Sequence, residues 1–286
     1  MANRLSGNRY ELKLLGSGAA AAGGPDHFAI YAADLEDIAE NDDQSLIGYI
    51  HSYEMGSAVD GPGIRAVVFL SGCLLRCQYC HNPDTWHKMQ GTPTTAAELM
   101  SEVKKYVRPL TLSKGGITLS GGEPLVQHRF AKRIFRRSKE LGLHTALDTC
   151  GRLGEKLSDE DLNDVDLNIL DIKAGDEETY FRVTRQPLQP TLDYAKRLSE
   201  LKRPTWVRFV LVPGLTDAWD NVERVADIAA SIQSLERVEV LRFHQMGRPK
   251  WEKLGLAYTL EGVPPPDNEL TERVRNQFRT RGLTVV

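Results

Sequence analysis

The chain has 286 residues, enough for one large domain or two domains of ordinary size. Hydrophobic residues make up 41% of it and charged residues 26%, which is typical of a globular protein. The 36 basic and 39 acidic residues leave a net charge of −3, and this balance argues against a nucleic-acid-binding surface.

The first 45 residues differ in texture from the rest of the chain. They are rich in Ala and Gly, then acidic from Asp34 to Asp43, with little periodicity. The small-residue stretch Gly16 to Gly24 lacks the apolar core of a signal peptide and follows an acidic residue, Glu11. We therefore expect residues 1–45 to be a disordered extension and residues 46–286 to form the compact domain.

The cellular compartment follows from apolar runs and cysteines. No apolar run in the sequence is long enough to cross a bilayer. The chain has four cysteines, three of them clustered, which does not match a secreted disulfide framework. These features predict a reducing cytoplasm.

From Leu46 onward, short β-rich apolar runs alternate with amphipathic stretches. Thr95 and Glu98 have the spacing of a capping box, and a helical pattern over residues 126–142 ends at a glycine. The alternation predicts parallel βαβ units, and about six of them predict an α/β fold, a partial (β/α)6 barrel with its chemistry at the strand C-termini. The predicted strands are residues 64–72, 116–120, 144–148, 166–173, 205–212 and 238–243.

Three cysteines, Cys73, Cys77 and Cys80, directly follow the first predicted strand in the spacing C-x3-C-x2-C. A structural zinc ion normally takes four ligands, and the remaining candidates here are Cys150 and His87. Inert buried cysteines are disfavoured because Gly, Arg and Gln lie around and between them. An iron–sulfur cube normally takes four cysteines, so three would leave one iron open to bind a substrate.

Glycine-rich and polar segments follow several other predicted strands. Ser120 to Pro124 reads SGGEP, where two glycines allow a ligand to approach the backbone or simply form a tight turn. Asp148 and Asp171 end the next two strands, and Lys173 lies two residues beyond, whereas a single such Asp is often a helix N-cap. His244 follows the sixth strand.

The cysteine motif after the first strand of a βα barrel resembles that of the radical S-adenosylmethionine (SAM) superfamily. Within it, GYIHSYEMGSAVDGPGIR, CHNPDTW, VPGLTD and YTLEGVPPP resemble segments of the pyruvate formate-lyase-activating enzymes, over about residues 46–286. There is no second cysteine cluster between Cys80 and Gly121, which favours the short type of activating enzyme.

The resemblance implies a set of site residues. Cys73, Cys77 and Cys80 would hold a 4Fe–4S cluster, with Cys150 as a non-ligand in place of the family's Asn. Asp148 and Asp171 would bind a monovalent cation. Arg242 and Phe243 replace the family's Pro and Tyr just before His244. The implied SAM contacts are Tyr79, Cys80, His81, Gly121, Gly122, Glu123, Asp171, Ile172, Lys173 and His244.

The resemblance also implies the reaction. The reduced cluster splits SAM into methionine and a 5′-deoxyadenosyl radical, which takes a hydrogen atom from a glycine Cα of pyruvate formate-lyase. Flavodoxin or ferredoxin would supply the electron, and the enzyme would be a monomer. The alternatives are an activating enzyme for another glycyl-radical enzyme, such as anaerobic ribonucleotide reductase, a small-molecule radical SAM enzyme, and a zinc-stabilised binding module without catalysis.

Overall fold

The computed structural model describes residues 42–286. Most of the predicted extension, residues 1–41, lies outside the described residues. Its last residues form a turn in which the Leu46 N–H donates to the Asp42 carbonyl at 3.0 Å. The Asp43 carboxylate pairs with Arg133 and, at 2.6 Å, with Arg137. The described fold therefore begins slightly before the predicted boundary at Leu46.

The strands form one sheet of eight in the described chain, in the order β3-β1-β2-β4-β5-β6-β7-β8. β2 and β4 to β8 are parallel, and they correspond to the six predicted strands. This confirms the predicted fold class. The strands are β1 Ile47–Ser57, β2 Arg65–Leu70, β3 Thr92–Thr95, β4 Gly116–Gly121, β5 His144–Thr149, β6 Leu167–Asp171, β7 Thr205–Leu211 and β8 Leu235–Arg242.

Two antiparallel strands, β1 and β3, extend the sheet at the β2 edge, and the sequence did not predict them. β1 mixes polar, charged and glycine residues, so it has no continuous apolar run to mark it as a strand. At the opposite edge, the Val286 N–H donates to the Val238 carbonyl at 3.0 Å, so the chain terminus covers part of β8. The order does not join β3 to β8, which leaves the described sheet open along one side.

The helices lie between the strands. The predicted capping box is confirmed, because Thr95 Oγ1 accepts from the Glu98 N–H at 3.1 Å and the Glu98 carboxylate accepts from the Thr95 N–H at 2.8 Å. Between β5 and β6 the described chain forms short 3-10 turns in place of an α-helix. The helices are α1 Ala96–Lys104, α2 Val107–Leu112, α3 His128–Glu140, α4 Glu177–Thr184, α5 Gln189–Glu200, α6 Trp219–Ser231, α7 Arg248–Lys253 and α8 Asn268–Arg279.

The parallel strands are buried on both faces. Val67 and Val68 are adjacent in β2, so their side chains point to opposite faces, and both are fully buried. Burial of both faces explains why a strand such as β2 reads as a continuous apolar run. In the described part of the chain, no helix is long and apolar enough to span a membrane.

The basic residues of α3 form ion pairs on its outer side. Aspartates of the β5–β6 connection neutralise three of them: Lys132 with Asp161 at 2.9 Å, Arg136 with Asp164 at 3.1 Å and Lys139 with Asp166 at 2.6 Å. The inner face of the helix buries Phe130, Ile134 and Phe135. This helix therefore carries many basic residues but little unpaired positive charge.

Arg65, at the start of β2, is fully buried. Its guanidinium donates to Thr118 Oγ1 at 2.9 Å, to the Ile117 carbonyl at 2.5 Å and to His144 Nδ1 at 3.1 Å. Burial lowers the pKa of Arg65 to about 10, so the side chain stays charged at neutral pH. The Asp60 carbonyl accepts from the same Thr118 hydroxyl at 2.7 Å, which ties the turn before β2 to the sheet.

We expect Arg65→Met to lower the free energy of unfolding by about 3 kcal/mol, because the buried acceptors around it lose their donor. Urea unfolding of the apoprotein measures the change. Arg136→Ala is the control, since its side chain is 47% exposed, and its effect should stay within about 0.5 kcal/mol. Equal effects of the two substitutions would contradict a structural role for the Arg65 network.

His144 should make the stability depend on pH. Burial, followed by the charge of Arg65, lowers the pKa of His144 below 6.5. The unfolded chain therefore binds a proton that the folded chain does not, and stability falls as the pH drops through about 6.5. We expect His144→Gln, which keeps an acceptor for Arg65, to lose less stability than the unmodified chain between pH 7 and pH 5. The same loss in both proteins would contradict this assignment.

Candidate active site

A cavity of about 430 Å³ lies at the carboxyl ends of the parallel strands. This is the position predicted for the chemistry of a βα barrel. Strands β4 to β8 each contribute residues to its wall, and the segment after β2 contributes the cysteines. The residues that line the cavity include Cys73, Leu75, Cys77, Tyr79, Cys80, His81, Ser120, Gly121, Gly122, Asp148, Cys150, Asp171, Lys173, Arg208, Val210, Phe243 and His244.

The three clustered cysteines all line this cavity. The segment that carries them is fixed by the Gln78 N–H, which donates to the Val183 carbonyl at 3.1 Å. Burial raises the pKa of the Cys73 thiol, and that of Cys77 to about 12, so both thiols are neutral without a metal. Within residues 42–286, no three His, Cys, Asp or Glu side chains converge closely enough to hold a single metal ion.

Two glycines at the end of β4 bring its backbone against the end of β2 and the residues that follow it. Gly121 has φ +116°, and a Cβ there would lie 2.4 Å from the Leu70 backbone. A Cβ on Gly122 would lie 2.4 Å from the Gly72 carbonyl. Only glycine fits both positions, and the absence of side chains leaves backbone facing the cavity.

Two predicted site residues do not line the cavity. Glu123 is 1% exposed, and its carboxylate accepts from the Thr149 hydroxyl at 2.8 Å and from the Cys150 N–H at 2.9 Å. Glu123 thus links the segment after β4 to the end of β5 without lining the cavity itself. Ile172 is fully buried, and its N–H donates to the Arg208 carbonyl at 3.0 Å. Contacts of Glu123 and Ile172 with a ligand stay predictions.

The carboxylates of Asp148 and Asp171 come from neighbouring strands. Asp148 Oδ2 accepts from Ser120 Oγ at 2.7 Å, whereas its Oδ1 is buried without a partner among the described residues. Burial raises the pKa of Asp148 to about 6, with Arg208 opposing the rise and Asp171 adding to it. Asp171 pairs with Lys173 at 2.7 Å. The cavity therefore holds two interacting carboxylates, one with an oxygen free to accept.

Arg208 is a cavity residue that the sequence did not predict. It lies within β7, is 8% exposed, and pairs with Glu239 at 2.7 Å and Asp148 at 3.3 Å. It also donates to the Val59 carbonyl at 2.7 Å, in the turn before β2. The available signal was an arginine in the middle of an apolar strand, which is unexpected unless the charge is paired.

The segment after β8 packs against the third cysteine. The rings of His81 and His244 lie 4.2 Å apart, and both residues line the cavity. The Trp251 indole N–H donates to the Cys80 carbonyl at 2.8 Å. Tyr79 also lines the cavity, and its buried hydroxyl has no partner among the described residues. The predicted aromatic and histidine residues are thus brought together.

Cys150 also lines the cavity, although the sequence assigned it no ligand role. It is 6% exposed, and burial followed by the nearby Glu123 charge raises the pKa of its thiol. Its thiol and its N–H both contact the Glu123 carboxylate. These contacts hold it in the wall of the cavity, and its exclusion from the ligand set stays a prediction.

Comparisons with known proteins agree with this geometry. Residues 67–227 match the model of the radical SAM superfamily. The chain is 40% identical over 244 residues to a pyruvate formate-lyase-activating enzyme of Staphylococcus aureus strain USA300, a match that covers 83% of this chain and 97% of that protein.

Solved structures share the fold. A domain of a pyruvate-formate lyase-activating enzyme from Bacteroides vulgatus ATCC 8482 aligns with a TM-score of 0.50 and 23% identity, covering 60% of this chain and 98% of that one. A radical SAM methyltransferase from Sphaerobacter thermophilus aligns with a TM-score of 0.55 and 18% identity, covering 80% and 70%. The chain belongs to the radical SAM superfamily and, within it, to the family of pyruvate formate-lyase-activating enzymes.

Proposed function

We propose that this chain activates pyruvate formate-lyase by removing a hydrogen atom from a glycine Cα of that protein, which leaves a glycyl radical. The observation that carries the proposal is the convergence of Cys73, Cys77 and Cys80 on one cavity in a member of this family. Family membership gives no support to a zinc-stabilised binding module. Activation of a different glycyl-radical enzyme is the alternative, and a comparison of two partner proteins in the same assay distinguishes it.

The family's cofactors are a 4Fe–4S cluster and SAM, and the residues of the cavity fit both. Three cysteines line one cavity, and Gly121 and Gly122 have no side chains to cover their backbone there. Asp148 Oδ1 lacks a partner among the described residues. When bound, the reduced cluster supplies the electron that splits the SAM sulfonium into methionine and a 5′-deoxyadenosyl radical. The proposed cluster ligands are Cys73, Cys77 and Cys80, and the proposed SAM contacts are Tyr79, Cys80, His81, Gly121, Gly122, Glu123, Asp171, Ile172, Lys173 and His244.

The cavity walls suit radical chemistry in two ways. Leu75, Val210 and Phe243 give part of the lining an apolar surface, which limits water around a reactive species. The step moves a hydrogen atom, so it needs no general base, and the buried Lys173 ammonium is engaged with Asp171.

The open side of the sheet supports entry of a polypeptide loop, which a closed barrel would exclude.

A monovalent cation between Asp148 and Asp171 is part of the proposal. Two carboxylates that repel each other in a buried site favour a bound cation, and oxygen is the ligand that such ions prefer. Of these two carboxylates, Asp171 pairs with the Lys173 ammonium, whereas Asp148 keeps one oxygen unpartnered in the described structure.

We further propose that the enzyme works as a monomer in a reducing cytoplasm and receives its electron from flavodoxin or ferredoxin. The four cysteines are free thiols in the described structure, and this supports a reducing compartment.

The experiment that tests the function is electron paramagnetic resonance on an anaerobic mixture of the reconstituted chain, SAM, dithionite and pyruvate formate-lyase. We expect a carbon-centred glycyl radical that requires SAM. The same mixture with anaerobic ribonucleotide reductase as the partner should give no radical. Radical formation only with that second partner would replace the proposed substrate.

Two matched cysteine variants test the ligand set in the same assay. Cys77→Ala should lose most of the iron and all SAM cleavage, because two thiolates do not retain the cluster. Cys150→Ala should keep the iron content and form the radical. Iron analysis and absorbance spectra read the cluster independently of activity. Loss of iron in Cys150→Ala with retention in Cys77→Ala would overturn the assignment.

The cation site predicts a salt-specific effect on SAM binding. We expect the Kd for SAM of the reconstituted chain to tighten as K⁺ or Na⁺ is added at constant ionic strength, with a large organic cation as the balance. Asp148→Asn should weaken SAM binding about tenfold and remove this dependence on the cation. A tenfold change in Kd corresponds to about 1.4 kcal/mol, which is the size expected for the loss of a modest charge-assisted contact. Asp217→Asn, at a partly exposed position outside the cavity lining, is the control. If the Kd of the unmodified chain for SAM does not change when K⁺ or Na⁺ is added, the proposed cation site is wrong.

A further inference from the structure

The segment that carries the cysteines forms a thin wall between the cavity and solvent. Its residues alternate in burial: Leu75, Cys77 and Tyr79 are buried and line the cavity, whereas Arg76 and Gln78 are partly exposed. The backbone turns within this segment, where the Cys80 N–H donates to the Cys77 carbonyl at 3.0 Å, so the buried side chains line the cavity while those of Arg76 and Gln78 reach solvent in part. The outer side of this segment is therefore one backbone away from the Cys77 thiol.

The end of α4 packs on the outer side of this wall. The Arg76 N–H donates to the Thr184 carbonyl at 2.8 Å, and the Gln78 N–H donates to the Val183 carbonyl at 3.1 Å. The Gln78 side-chain amide donates to the Arg182 carbonyl at 2.7 Å. These bonds fix the last turn of the helix directly over the cysteine segment.

The exposed residues of this turn combine an apolar centre with unpaired positive charge. Phe181 is 50% exposed, and Arg182 and Arg185 are exposed beside it. Among residues 42–286, neither arginine forms an ion pair with a carboxylate, and Arg182 donates to the Leu215 carbonyl at 2.9 Å. We call Phe181, Arg182 and Arg185, with Arg76 and Gln78, the α4 surface.

The charged residues of the two segments that form this contact all have the same sign. Residues 72–83 and 179–192 contain three arginines and neither Asp nor Glu. The basic helix α3 is different, because Lys132, Arg136 and Lys139 are each neutralised by an aspartate. The density of basic residues in the sequence points to α3, whereas Arg182 and Arg185, which form no ion pair among the described residues, belong to the α4 surface.

We propose that the α4 surface is the docking site of an acidic one-electron carrier protein, which reduces the cluster through the cysteine wall. This rests on the proposed function, since only a redox cluster behind that wall needs a supply of electrons. The carrier loses one electron and the cluster gains it, with no proton or group transferred. The substrate polypeptide must instead reach the inside of the cavity, on the other side of the wall.

The chemistry of the surface fits a carrier better than a permanent partner. Electron-transfer contacts are small and short-lived, and they bury less than about 1,200 Å². Complementary charge raises the association rate of such partners and makes it fall steeply with ionic strength. A single exposed aromatic ringed by arginines provides attraction and a small apolar contact without the large apolar area of an obligate interface.

The test compares two reductants on the full-length reconstituted chain. The rate of SAM cleavage is measured with photoreduced flavodoxin or ferredoxin, and separately with dithionite, which needs no docking surface. The variant is Arg182→Glu with Arg185→Glu, and the matched control is Lys132→Glu with Arg136→Glu on α3. A milder pair, Arg182→Gln with Arg185→Gln, keeps the test open if the reversed charges impair folding.

We expect the α4 variant to react at least tenfold more slowly with the protein carrier at low salt, and as fast as the unmodified chain with dithionite. Its rate should also lose the salt dependence of the unmodified chain. The α3 control should behave as the unmodified chain does.

Equal loss in the α3 control, or no loss in the α4 variant, would overturn the docking site. Normal SAM cleavage with an impaired glycyl radical yield under dithionite would assign the surface to the substrate protein and overturn the proposal. Failure of the unmodified chain to cleave SAM with dithionite would instead refute the proposed function.

Discussion

The buried guanidinium of Arg208 joins β7 to three other parts of the chain around the cavity. It pairs with Glu239 on β8 and Asp148 on β5, and it donates to the Val59 carbonyl in the turn before β2. Loss of one partner from a buried charge network is costly, because the remaining charges stay desolvated. The position of the Asp148 carboxylate in the cavity therefore depends on this one cation.

That dependence explains how a polar cavity exists at the end of an apolar barrel. Charges that face the cavity are compensated either by one another, as Asp171 is by Lys173, or by Arg208. Asp148 is compensated incompletely, and burial raises its pKa to about 6. The cavity is thus prepared for a ligand that brings positive charge and hydrogen-bonding groups, and a sulfonium cofactor with an amino acid moiety has both.

Much of the fold could be predicted because the parallel strands contain short β-rich apolar stretches that alternate with helical patterns, and the cysteine spacing is specific. β1 and β3 escaped prediction because many of their residues are exposed or half-buried and neither strand has such a run. The inward position of Arg208 depends on three partners that are distant in sequence, and a single strand pattern does not contain them. For the same reason, the burial of Glu123 behind Thr149 and Cys150 was not visible in the SGGEP segment.

We infer that three cysteine ligands would leave one iron of the cluster for SAM to bind directly. Electron–nuclear double resonance of the reduced, reconstituted chain tests it with SAM labelled by ¹⁵N at the amino group and ¹⁷O at the carboxylate. We expect hyperfine coupling from both labels to the cluster spin, and none when labelled methionine ester is used instead. A 4Fe–4S signal at full iron content without coupling to either label would contradict the claim.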